Sequence, residues 1–207
     1  MHQIIIGKVI HGNKNGEKYL FKTANIFYDV EKIPDGVYKI NVVINNKKYP
    51  GVGATVQKKG IFESHLFDYE GDLYDKEIKI HLIKKIRDNK NFDSFGELKK
   101  QIELDIIFAK KDIIKVMTFG TFDIFHPGHK HFLTESSFYG DQLITIIARD
   151  ENVKIIKGNY PKNNENKRLE VLKNEELSDI VELGDLKNPF LCLEKHKPHI
   201  ICLGYDQ

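Results

Sequence analysis

A chain of 207 residues with 41% hydrophobic and 30% charged side chains has the make-up of a globular protein with a core of ordinary size, which excludes a disordered chain. Lys plus Arg number 32 against 30 Asp plus Glu, for a formal net charge of +2. That balance excludes a broad nucleic-acid or membrane surface, so any anion site must be local.

Met1-His2-Gln3 and the short Ile run behind it lack a charged n-region followed by a long apolar stretch, and no later segment approaches a membrane span. The expected compartment is the cytoplasm, with small molecules rather than nucleic acid or membrane as partners. Strand texture begins at residues 4–10 and continues at 36–44, 48–56, 62–69 and 76–86, with Asn45-Asn46 as a hairpin turn and Lys58-Lys59-Gly60 and Glu70-Gly71-Asp72 as further turns. Several such strands favour a closed or nearly closed barrel. At Ser94-Phe95-Gly96-Glu97 a capping box opens a helix whose apolar positions Phe95, Leu98, Ile102, Ile106 and Ala109 recur at three- and four-residue steps, so this helix should pack on the barrel.

Lys110-Lys111-Asp112 is the expected boundary, dividing the chain into domains 1–111 and 112–207. Strands then alternate with helices, at 113–119, 142–148, 180–183 and 199–203 for strands and about 129–139, 166–173 and 189–196 for helices. Asn188 is the expected N-cap and Pro189 the first residue of the last helix. This order predicts an α/β domain with a parallel sheet. Cys192 and Cys202, set among apolar residues, suit buried reduced thiols better than a disulfide or a metal cluster.

Between the first strand of that domain and its first helix runs Gly120-Thr121-Phe122-Asp123-Ile124-Phe125-His126-Pro127-Gly128-His129. A turn at the carboxyl end of a sheet strand is where ligands bind in such folds. A helix start offers N–H groups and a partial positive charge, and Gly128 would let backbone come close to an anion. His126 and His129 can donate ring N–H groups to phosphate oxygens. A single histidine at a helix start is ordinarily a capping or surface residue, whereas two around a glycine after Gly-Thr-Phe-Asp point to phosphate.

This segment resembles the nucleotidyltransferase superfamily of cytidylyltransferases and FAD synthases, whose signature is Gly-Thr-Phe-Asp-x-x-His-x-Gly-His. Ala148-Arg149-Asp150-Glu151-Asn152-Val153-Lys154 with Lys157, Lys167-Arg168, and Leu203-Gly204-Tyr205-Asp206-Gln207 are similar in order and spacing to archaeal-type FAD synthases. The resemblance covers Val116 to the last residue and implies a Rossmann-like parallel sheet. It implies that His126, His129, a lysine that is Lys154 or Lys157, and Arg168 handle the triphosphate. Phe119, Gly120, Thr121, Phe122, Gly128, Gly204 and Asp206 would line the nucleotide. Family members usually continue beyond the Gly-Tyr-Asp-Gln strand, so a second domain truncated at its C-terminus is expected.

The first domain has a resemblance of its own, over about Ile6 to Lys110. Gly7-Lys8-Val9-Ile10-His11-Gly12, Phe21-Lys22-Thr23-Ala24-Asn25, Gly36-Val37-Tyr38, Phe62-Glu63-Ser64-His65-Leu66, Gly71-Asp72-Leu73-Tyr74 and Ile86-Arg87 resemble riboflavin kinases, as does Asn91-Phe92-Asp93-Ser94. The implied fold is an all-β Greek-key barrel with a C-terminal helix. The resemblance implies that Gly12 lets backbone approach the phosphates, that Thr23 and Asn25 bind ATP and Mg²⁺ as hard oxygen ligands, that Glu63 is the general base, and that Arg87 and Phe92 lie on the flavin side. Leu20 stands where the family has Gly, Lys22 where it has Pro, and Asp75 where Gly usually follows Tyr.

Together the two resemblances imply riboflavin plus ATP giving FMN in the first domain and FMN plus ATP giving FAD in the second. Two rivals remain at this stage. One is a cytidylyltransferase acting on a phosphorylated polyol, since His-x-Gly-His does not choose the base. The other is a flavin-sensing protein that binds FMN or riboflavin without phosphorylating it, motivated by Leu20 and Lys22. Oligomeric state is not written in the sequence.

Overall fold

Alternation of apolar and polar residues builds the first half of the chain into antiparallel sheet in the computed structural model, which describes residues 3–10, 23–188 and 190–204. Its strands are β1 (Gln3–Lys8), β2 (Thr23–Phe27), β3 (Val37–Ile44), β4 (Lys47–Val56), β5 (Ile61–Leu66) and β6 (Glu77–Arg87), in the spatial order β1-β6-β3-β4-β5-β2. The sheet curls until its two edges meet, with an antiparallel bridge between Ile10, two residues beyond β1, and Asn25 of β2. Ile5, Ile26, Ile40, Val42, Phe62, Ile78 and Ile80 fill the inside. Asn45 and Asn46 both adopt positive φ, 51° and 60°, as the expected two-residue hairpin requires. β2 was not expected: its first three residues, Thr23-Ala24-Asn25, read as a turn, and its pairing with β5 supplies the order.

Helix α1 (Phe95–Lys111) opens as its capping box predicts. Ser94 Oγ accepts from Glu97 N at 3.3 Å, and Glu97 Oε2 reaches back to Asp93 N, also at 3.3 Å. Ile106 and Ala109 pack with Val52, Phe67 and Ile86 on the outside of the sheet. The carboxyl end of α1 is held from below. Lys39 of β3 is only 2% exposed, and its ammonium donates to the carbonyls of Ala109, at 2.7 Å, and Asp112. A cation at a helix C-terminus also meets the negative end of the helix dipole.

The second half is a parallel sheet, β7 (Lys115–Gly120), β8 (Gln142–Ile147), β9 (Ile180–Leu183) and β10 (Ile200–Cys202), in the order β10-β7-β8-β9. Its helices are α2 (Pro127–Ser137), α3 (Asp150–Lys157), α4 (Glu165–Asn174) and α5 (Leu191–His196). Both faces are covered, by Leu133 and Leu172 on one side and Cys192 on the other, which is why the strands read as continuous apolar runs.

Helix α2 starts at Pro127, a residue suited to the first helical position and two ahead of the expected start. The last helix begins at Leu191 with Phe190 as its N-cap, while Asn188 Oδ1 accepts from Phe190 N at 3.0 Å; Pro189 lies outside the described residues. The residues after β8, where no helix was expected, form helix α3, which carries Lys154 and Lys157. Cys192 and Cys202 are free thiols, and burial raises the pKa of both. No helix among the described residues is long and apolar enough to cross a membrane. By contacts the chain divides into two units, Met1–Asp112 and Ile113–Gln207.

Replacing Lys39 by Met keeps an apolar stem and removes the ammonium from two carbonyl partners. The expected cost is about 2 kcal/mol for the first unit, read as a lower denaturant midpoint at unchanged slope. An unchanged midpoint would show that the α1 carbonyls are served equally well by water.

Candidate active sites

In the second unit the segment joining β7 to α2 is wound tightly. Phe122 and Ile124 adopt left-handed φ values of 53° and 48°, each costing about 1–3 kcal/mol for a residue other than glycine. The winding turns the Phe122 ring back into the core, where it is 4% exposed, and over Gly120, at which a Cβ would lie 2.7 Å from Phe122 Cε2. Thr121 and Phe119 are half-buried beside it.

His126 is the N-cap of α2. Its Nδ1 accepts from Gly128 N at 3.1 Å and His129 N at 3.4 Å. An accepting Nδ1 carries no proton, so the neutral ring holds its hydrogen on Nε2 as a donor. Gly128 is required by this ring: a Cβ there would sit 2.9 Å from His126 Cε1. Its missing side chain therefore makes room for the capping histidine, where the sequence suggested room for an anion. His129 is enclosed by three rings, with centroids 3.7 Å from His126, 5.3 Å from Phe122 and 5.7 Å from Phe125. The two histidines form one stacked pair at the sheet's carboxyl edge.

Arg168 is placed differently from the expectation that it meets the triphosphate. It is 1% exposed. Its guanidinium donates to the carbonyls of Asn163 (3.1 Å), Thr121 (2.5 Å) and Ala148 (2.8 Å) and to Asp150 Oδ1 (2.7 Å). Those bonds tie the histidine turn to the end of β8 and the start of α3. Beside it, α3 and α4 cap each other: Asp150 Oδ2 accepts from Glu165 N at 3.0 Å and Glu165 Oε2 from Asp150 N at 2.8 Å. Arg149 pairs with Glu165 at 2.8 Å, and this hydrogen bond, ahead of a smaller opposing effect of burial, lowers the Glu165 pKa.

Asp123 lies within the motif with no role expected of it, yet it fastens a neighbouring loop. Its carboxylate accepts from Lys162 N (2.7 Å), Asn163 N (3.0 Å) and Asn163 Nδ2 (3.1 Å). Lys154 and Lys157 sit on α3, both exposed. The Lys154 ammonium lies 4.3 Å above the Tyr160 ring, and the Tyr160 hydroxyl donates to Glu151 at 2.9 Å. Gly204, half-buried, follows β10 at the same edge of the sheet as Gly120; Asp206 lies outside the described residues.

In the first unit Thr23, Asn25 and Glu63 come together. β2 and β5 pair with Asn25 opposite Glu63, while Ala24 faces Ser64 and Ile26 faces Phe62 on the buried side. Thr23, Asn25 and Glu63 therefore share the outer face. Facing residues in such a ladder have Cβ atoms about 5 Å apart. Thr23 and Glu63 are exposed and Asn25 is 7% exposed. Among the described residues Asn25 Oδ1 is buried without a hydrogen-bond partner, an arrangement that is costly unless something accepts its lone pairs. A hard oxygen in that condition fits a cation such as Mg²⁺.

Arg87 is fastened to Asp105 by contacts of 2.7 to 3.1 Å, with side-chain exposures of 15% and 5%. Its guanidinium lies 5.9 Å from the Phe92 ring. It thus braces β6 against α1 and backs Phe92, which is half-buried. Gly12, Leu20 and Lys22 lie outside the described residues, and Asp75 pairs with Lys8 at 2.9 Å.

The riboflavin kinase family model matches residues 2–113, more than half of the chain. The chain belongs to the riboflavin kinase family. The second unit of this riboflavin kinase relative matches the cytidylyltransferase-like family over residues 117–207. An FAD synthase of Ferroglobus placidus is 46% identical over 94 residues, 45% of this chain and 60% of its own length. One from Thermococcus sibiricus is 42% identical over 100 residues, 48% of this chain and 68% of its own length. A bifunctional riboflavin kinase/FMN adenylyltransferase of Buchnera aphidicola is 39% identical over 117 residues, 52% of this chain and 37% of its own length. The chain thus spans about three fifths of the first of these relatives and less than two fifths of the last.

The Asp123 clamp has a pH signature. Burial alone would raise its pKa, but the N–H donors of Asn163 and Lys162 outweigh burial and hold the carboxyl below the ordinary value of 3.8. With a folded value below the unfolded one, the contribution is complete above 3.8 and is lost as pH falls through the folded value. Amide-exchange protection at Lys162 and Asn163 should therefore fall below about pH 4, ahead of that at Ile144 and Ile146 in β8. Simultaneous loss at both places would mean that the clamp has no local effect.

Proposed function

We propose that this chain makes FAD from riboflavin in two steps, with ATP as donor in both. The observation that carries the reading is a riboflavin kinase-family unit and a cytidylyltransferase-like His-x-Gly-His unit in one chain, because the product of the first, FMN, is the acceptor that the second needs. The Ferroglobus and Thermococcus FAD synthases and the bifunctional Buchnera enzyme support it.

In the first unit Glu63 takes the proton from the terminal ribityl hydroxyl, whose oxygen attacks the γ-phosphorus of ATP; the bond to the bridging oxygen breaks and ADP leaves. Asn25 and Thr23, on the strand opposite Glu63, would hold Mg²⁺ and the phosphates. Bound there, the cation neutralises charge on the triphosphate. Arg87, locked to Asp105, keeps Phe92 on the flavin side.

In the second unit a phosphate oxygen of FMN attacks the α-phosphorus of ATP and pyrophosphate departs. His126 donates through Nε2, its Nδ1 being occupied by the α2 cap, and His129 donates from its ring cage. Both stabilise charge gathering on the non-bridging oxygens. Phe119, Gly120, Thr121, Phe122, Gly128 and Gly204 shape the nucleotide side through backbone. Lys154 and Lys157 supply positive charge from α3, and Lys157, in the last turn, is the one we assign to the triphosphate, since Lys154 is engaged with Tyr160. Arg168 acts through the turn it holds.

Product analysis with riboflavin, ATP and Mg²⁺ tests the whole reading, with CTP in a parallel arm. FMN followed by FAD is expected with ATP; a product only with CTP overturns the adenylyl step, and bound but unphosphorylated flavin overturns the kinase step. Glu63→Gln should lower FMN formation by roughly 100-fold or more while FAD still forms from supplied FMN. A parallel fall in both would mean that Glu63 serves folding and not proton transfer.

His129→Ala should do the reverse. FAD formation should lose roughly 2–4 kcal/mol of transition-state stabilisation, with riboflavin phosphorylation unchanged. An FAD rate equal to that of the unaltered chain would remove His129 from the mechanism.

A further inference from the structure

We infer that the Tyr160 ring is the surface on which the isoalloxazine ring of FMN lies in the second unit, a binding role that rests on the adenylyl-transfer reading above. The topology gives the side from which the acceptor comes. β7, which leads into the histidine turn, has β10 on one flank and β8 on the other, and ligands of open parallel sheets lie at the carboxyl ends of the strands. Gly204, after β10, falls on the nucleotide side of that reading. The acceptor then approaches from the β8 flank, where the loop between α3 and α4 carries Tyr160. That loop is tied to the histidine turn itself. Asp123 accepts from Lys162 N and Asn163 N, and Tyr160 stands two residues ahead of Lys162, about 7 Å of chain at most. The extended ribityl chain of FMN carries its phosphorus about 8 Å from the ring by similar bond lengths. That reach matches in scale the chain between Tyr160 and the turn.

The residue is held as a rigid support. Pro161 behind it confines Tyr160 to extended backbone. Its hydroxyl donates to Glu151 Oε1 at 2.9 Å and accepts from Lys154 Nζ at 3.3 Å. The Lys154 ammonium lies over the ring, 4.3 Å from its centroid, yet the residue is 51% exposed, so the face turned away from Lys154 is the one a ligand can reach. A ring fixed at both its hydroxyl and its backbone gives up little freedom when a second ring stacks on it. Glu151, Lys154 and Ile155 share a face of α3 by their three- and four-residue spacing, and Ile155 is 80% exposed. An open aromatic face beside an exposed aliphatic side chain, with Lys157 in the last turn of the same helix, suits a ligand that is flat and apolar at one end and anionic at the other. FMN has that build.

The test uses the full chain with its nine tyrosines labelled, the Tyr160 resonance being identified by its loss in Tyr160→Phe. FMN should shift that resonance through the ring current of a stacked partner. Ribitol phosphate, which keeps the phosphate and drops the ring, should leave it in place, and so should MgATP alone. In FAD formation Tyr160→Ala should raise KM for FMN about tenfold, the scale of one lost stacked ring, with KM for ATP unchanged. Tyr160→Phe, which keeps the ring and gives up the hydroxyl, should recover most of that loss; a residue that only braced α3 through its hydroxyl would recover none. A resonance indifferent to FMN, one moved equally by MgATP, or an unchanged KM for FMN in the alanine variant overturns the role. If no FAD forms from FMN and ATP, the adenylyl reading falls, and the spectrum still decides whether Tyr160 stacks on a flavin.

Discussion

Arg168 gives four hydrogen bonds, to three carbonyls and one carboxylate, with almost none of its surface in water. A buried guanidinium is tolerated only when its donors are spent, and each acceptor is thereby fixed in direction as well as distance. Thr121 belongs to the turn that delivers the histidines, Ala148 to the end of β8, and Asn163 to the loop that Asp123 holds from the opposite side. The strained φ values at Phe122 and Ile124 persist because this net over-determines the turn between them. A phosphate site of the kind proposed needs its donors closely placed; the placement would come from a residue that need not touch the ligand.

The histidine pair shows how a short motif can be one mechanical part. The His126 ring fills the space that a side chain at Gly128 would take, caps the helix with one nitrogen, and stacks on His129. Each member explains another. The tautomer follows from the cap, so the nitrogen left for chemistry is settled before any substrate arrives.

Much of this was legible. The Ser94 box marked a helix start, Asn45-Asn46 marked a hairpin, and the order of strands and helices gave the two folds in sequence. What escaped has a common cause, which is that its stabilising partner is distant along the chain. β2 is ordered by β5. Helix α3 was not expected, because its first N–H group is served by Glu165 and not by a residue beside it. Lys39 read as an ordinary strand lysine, and its burial depends on two carbonyls some seventy residues away. Arg168 was picked out as charged and functional; that its charge would be consumed internally depended on where Thr121 and Ala148 come to lie.

The helix beginnings in the second unit also set up an electrical asymmetry. The first turns of α3, α4 and α5 carry carboxylates, at Asp150 and Glu151, at Glu165 and at Glu194, while α2 has no acidic residue in its first turn and a neutral imidazole at its head. Every helix has a positive pole at that end, and a carboxylate there cancels it. Among the described helices of this unit, α2 alone is left unneutralised. A polyanion drifting toward the sheet would be drawn to that one pole and turned away from the others, so carboxylates at the other three helix starts help decide where phosphate settles.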